Sequence, residues 1–107
     1  MEANFNTEAA RLIESRLSAL RRLTFSEAAV LPEAASEETT LAGVRCNLNV
    51  FRQTNSETLP DAILVAVQVS RSTLISVASH HTERGLVFGA NGQVREAADD
   101  ELRNTGG

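Results

Sequence analysis

From Ala62 to His81 the apolar residues keep one parity throughout, and no other feature of this chain restricts its fold as tightly. Ile63, Val65, Val67 and Val69 are followed in step by Thr73, Ile75 and Val77. A period of two marks a strand with one buried face. Taken literally, the run is one strand of about 18 residues, roughly 60 Å long at about 3.3 Å per residue. The chain has 107 residues, and a domain of that size has a radius of gyration of only about 13 Å. The strand must therefore break near Arg71, as a hairpin or a sharp bend. Size decides this against local turn chemistry, because Ser70-Arg71-Ser72-Thr73 holds no Gly, Pro or Asn.

The same period begins earlier. Val44, Cys46, Leu48 and Val50 alternate with Arg45, Asn47, Asn49 and Phe51, which predicts a strand with one apolar and one wet face. Gln53 to Asp61 is rich in Asn, Ser, Pro and Asp and reads as a loop. Leu86 to Arg95 reads as a further hairpin turning at Asn91-Gly92, the pair best suited to a type I′ turn. Upstream the period is helical. Ala9, Leu12, Ile13, Leu17, Leu20 and Leu23 recur at three- and four-residue steps between about Asn6 and Phe25, with Asn6 or Thr7 as cap. Ser26 to Leu31 can add one helical turn before Pro32. The small, acidic run from Pro32 to Thr40 reads as a connecting loop.

These elements make a single α+β domain over residues 1–107. A long N-terminal helix packs on one face of a four- to five-stranded antiparallel sheet. A short C-terminal helix opens at Asp99 or Asp100 and runs through Leu102 and Arg103. The ends, about 1–5 and 104–107, are expected to fray. Val65, Val67, Val69, Ile75 and Val77 form the sheet side of the core, and Leu12, Ile13, Leu17, Leu20 and Leu23 the helix side. One helix leaves the second sheet face open, and Leu64, Ala66, Leu74 and Ala78 make that face partly apolar, a candidate contact surface for a second copy or a partner.

Composition sets limits on function. Apolar residues are 42% of the chain and charged residues 22%, enough for a core. The formal charge of −4 argues against nucleic acid, whose binders carry a basic face. No run approaches the roughly 18 apolar residues of a membrane span. One cysteine, Cys46, and a first segment without a signal-peptide pattern point to a reducing cytoplasm. All ten basic residues are Arg, a bias that base composition explains as readily as bidentate anion recognition does.

Candidate chemistry is sparse. His80 and His81 are adjacent, so on a strand they point to opposite faces and do not share an ion. Cys46 is in phase with the apolar face, where a thiol is inert. Asp99, Asp100 and Glu101 suit a helix start, and Glu33, Glu37 and Glu38 a solvated loop. Gly85 and Gly89 lack the spacing of a phosphate-binding loop. Gly106-Gly107 resembles the end of ubiquitin-like modifiers, whose fold begins with a hairpin and not with a helix. No catalytic set, metal or cofactor is expected. The leading expectation is a non-enzymatic module that self-associates as a homodimer or binds another protein, an adaptor or chaperone being one variant. The alternative is a small enzyme or ligand-binding domain with a pocket between helix and sheet, its candidate residues being Arg45, Arg52, Gln68, Arg71 and His80.

Overall fold

The computed structural model describes residues 2–54, 61–70, 81–98 and 102. Helix α1 (Glu2–Leu20) and a short helix α2 (Phe25–Ala29) precede five strands: β1 (Ala34–Leu41), β2 (Val44–Thr54), β3 (Ala62–Ser70), β4 (His81–Gly89) and β5 (Val94–Glu96). The strands form one antiparallel sheet in the order β1-β2-β3-β4-β5. The α+β plan with a long N-terminal helix and an antiparallel sheet is thus the one expected.

The helical stripe of α1 begins earlier than its periodicity suggested. Phe5, expected to lie in a frayed end, is 4% exposed and leads a buried row of Ala9, Ile13, Leu17 and Leu20. The stripe covers Cys46, Leu48, Ile63, Val65, Val67, Val69, Leu86 and Phe88, which together form the main core. The helix also ends earlier than Phe25. The amides of Arg22 and Leu23 bond back only three residues, to Ala19 and Leu20, which tightens and closes the last turn. Thr24 then caps a new helix. Its hydroxyl accepts from the Glu27 amide while the Glu27 carboxylate accepts from the Thr24 amide, a reciprocal capping box.

The acidic run expected to be a loop is a strand. Ala42 and Gly43 both take positive φ, 50° and 78°, as a two-residue type I′ hairpin requires. That turn aligns Leu41 with Val44 and the rest of β1 along β2. Polar cross-strand contacts replace apolar alternation: Ser36 Oγ donates to Asn49 Oδ1 at 2.7 Å, and Arg45 pairs with Glu38 at 2.6 Å. The first five residues of β1 are exposed and only Leu41 of the strand is buried, so no hydrophobic period marks it.

The chain reverses between Ser70 and His81, while the second half of the constant-parity run, with Thr73, lies outside the described residues. Strand β3 ends at Ser70, and Ser70 pairs with His81 at the start of β4. The strand that returns along β3 is His81–Gly89, and its Leu86, Val87 and Phe88 also pair with β5, which makes the second hairpin expected there. The β4–β5 turn is not type I′. The Gly92 amide donates to Gly89 O, the Gly89 amide to Gln93 O, and only Gly92 has positive φ. This is the three-residue loop with a left-handed glycine bulge.

The second sheet face is not left open along its whole length. Leu64 (2% exposed) and Ala66 lie buried in a second cluster with Val87, Ala97 and Leu102. Ala97 continues the β4–β5 ladder by donating to Gly85 O at 2.8 Å, and the Leu102 amide donates to Ala98 O at 3.1 Å. Leu102 Cδ2 would lie 2.8 Å from a Cβ at Gly85. Gly85 opposite Ala66 therefore leaves a hole in the sheet surface, and Leu102 fills it. The proposed contact residues Leu64 and Ala66 are thus covered from within the chain. Leu74 and Ala78, like Ile75, Val77 and most of the expected C-terminal helix, lie outside the described residues.

Candidate functional site on the open half of the sheet

Register shows which groups of β1 remain free. Arg52 N–H donates to Glu33 O at 2.9 Å, so the facing pair Glu33 and Arg52 exchanges hydrogen bonds. In an antiparallel ladder such pairs alternate. Ala35, Glu37, Thr39 and Leu41 therefore bond to β2, whereas Ala34, Ser36, Glu38 and Thr40 turn their amides and carbonyls outward. None of the described residues pairs with these outward groups. The strand is exposed from Ala34 to Glu38. Among the described residues an eight-residue sheet edge is thus open to a further strand.

Side chains flank this edge on both faces. On the helix face, a cleft of about 140 Å³ lies beside β1, with Ala35, Leu48 and Val50 as apolar walls and Arg16, Ser36 and Glu37 around them. Arg16 of α1 reaches over to Glu37 at 2.6 Å. On the opposite face a polar row crosses three strands. Asn49 accepts from Ser36 and donates through Nδ2 to Gln68 Oε1 (3.2 Å) and Ser70 Oγ (3.0 Å). Arg45 sits at the end of that face, where the Glu38 hydrogen bond holds its guanidinium charged.

Of the five residues expected to share a pocket, the three described ones, Arg45, Arg52 and Gln68, do not converge. Gln68 is 8% exposed and belongs to the amide row. Arg45 lies on the same face but is bound to Glu38. Arg52 falls on the helix face opposite Val65, with its Nε buried and unpartnered among the described residues. Arg71 and His80 lie outside the described residues. The interface of α1 with the sheet is filled by Ile13, Leu17, Val65 and Val67, all fully buried. An open groove of about 480 Å³ exists instead beside α2, lined by Phe25, Ala29, Thr54, Asp61, Ala62, Ile63 and Ala90. Cys46 is buried and free, and burial pushes its thiol pKa up, which suits a core residue and not a nucleophile. Among the described residues no three His, Cys, Asp or Glu side chains gather as a metal site, and no helix is long and apolar enough to cross a membrane.

The edge carries no apolar period in the sequence, where Glu37 and Glu38 read as loop acids. The signal that could have found it is Ala42-Gly43 between Thr39-Thr40-Leu41 and Val44, a short turn flanked by β-formers. Compared with protein-family models, with curated proteins and with solved structures, the chain finds no match.

Proposed function

We propose that this protein is a non-enzymatic protein-interaction module that binds by strand addition at β1. The observation that carries the reading is the exposed run of outward amides and carbonyls at Ala34, Ser36, Glu38 and Thr40. Main-chain hydrogen bonds along such an edge supply affinity, and adjoining side-chain pockets supply specificity. The cleft between α1 and β1 is placed to serve as such a pocket. The occupant is a protein strand, from a second copy or from another chain. A single free, buried cysteine suits work in a reducing compartment such as the cytoplasm.

The test is site-specific photo-cross-linking. A photoreactive residue at Thr40 should capture one protein, the same chain or another, and the adduct should vanish in Ser36→Pro. That substitution removes an outward amide and leaves the β1–β2 ladder intact. The same probe at Arg95, away from the edge, should not capture it. Equal capture by Ser36→Pro and wild type would overturn the reading.

A further inference from the structure

The two faces of β1 differ in chemistry, and an added strand meets both at once because its successive side chains point to opposite faces. On the helix face an incoming side chain comes to the cleft walled by Ala35, Leu48 and Val50. On the other face its neighbour comes to Glu38, whose carboxylate already binds a guanidinium, that of Arg45, at 2.6 Å. Both partners of that pair are more than half exposed, so the pair contributes little on its own. Glu37, paired with Arg16 at 2.6 Å, sets a second carboxylate at the rim of the cleft. A second copy of β1 is the poorer occupant. Antiparallel self-pairing centred on Glu37 or Glu38 sets like charges directly opposite each other, and β1 has no basic residue of its own to offer.

We infer that β1 receives a strand of another protein in which aliphatic and basic residues alternate, the aliphatic ones entering the α1–β1 cleft and the basic ones facing Glu38. This inference rests on the open edge and names the chemistry of its occupant. Charge complementarity selects the basic face, and the cleft selects the aliphatic one.

The probe is a fluorescently labelled, end-capped eight-residue peptide alternating valine and arginine. Its counterparts alternate valine with glutamate and glycine with arginine. Anisotropy titrations of the full chain should show the valine–arginine peptide binding about tenfold or more tightly than either counterpart. Glu38→Arg should reverse the preference between arginine and glutamate. Ala35→Phe, which fills the cleft from an exposed position, should erase the preference for valine over glycine. Circular dichroism and thermal melts confirm that each variant is folded. If Ser36→Pro binds the valine–arginine peptide as wild type does, the edge itself is not the binding element and both readings fall. If Ser36→Pro abolishes binding but Glu38→Arg and Ala35→Phe leave the preferences unchanged, the edge stands and the inferred chemistry is wrong. If no peptide binds and wild type sediments as a dimer that Ser36→Pro dissociates, the occupant is a second copy and this inference is overturned.

Discussion

Ala42 holds a left-handed backbone, φ 50°, at the first central position of the β1–β2 turn. An L-residue with a Cβ pays about 1–2 kcal/mol there, and Asn or Gly tolerates it better. Ala42→Asn should therefore stabilise the fold by about 0.5–1 kcal/mol, read as a higher denaturant midpoint at unchanged slope; no gain would mean the turn is relaxed. Cys46 makes a second residue-scale prediction. Burial raises its thiol pKa, so the folded chain holds the proton more tightly than the unfolded one. The resulting stability is complete below the unfolded thiol pKa of about 8.5 and is lost as pH rises past it towards the folded value. With no Lys and no Tyr in the chain, few other groups titrate in that window. Stability of wild type should fall between pH 8 and 10, and Cys46→Ala should flatten the fall. A parallel fall in the variant would assign it elsewhere.

Among the elements, the segment after β5 contributes Leu102, which is 7% exposed, to the second cluster. Leu102→Ala should cost about 2–5 kcal/mol, the usual range for emptying a buried leucine site. Gly85→Ala should also destabilise, by about 1–3 kcal/mol, because its Cβ would meet Leu102 Cδ2 at 2.8 Å and Val65 O at 2.9 Å. If Gly85→Ala alone is costly and Gly85→Ala with Leu102→Ala is no worse, the two positions share one space. A simple sum would refute that coupling. Elements with an apolar rhythm were legible in the sequence: α1, β2 and β3 follow directly from their spacing. Strand β1 was not, because its order comes from a turn and from polar cross-strand contacts that leave no hydrophobic period. The cover of the second face was not legible either. It depends on a glycine opposite an alanine making a hole for a leucine seventeen positions further on, a match that only the folded register creates. The candidate edge was hidden with β1, while Gln68 and Arg45 were visible as polar strand residues but not as members of a surface.

For the whole molecule, α1 is fastened to the sheet by charge as well as by its apolar stripe. Arg84 on β4 bonds both Glu14 of α1 and Glu96 of β5, and Arg21 lies 3.6 Å from Glu96. These groups are substantially exposed, so Arg84→Met should cost no more than about 1 kcal/mol, and less in high salt. A larger, salt-independent loss in chemical denaturation would show that packing of the Arg84 stem matters more than its charge. The order of the sheet has a consequence for how the protein comes into being. Each strand pairs with the strand that follows it in sequence, so during synthesis the sheet can grow in the order in which its strands are made. The first helix has no such partner at hand. About 70 residues separate the end of α1 from the end of β4, which at about 5–20 residues per second is roughly 3–14 s of translation. For that interval Phe5, Ile13 and Leu17 have no finished sheet to cover them, and the nascent helix is the part of this chain most in need of a chaperone's shelter.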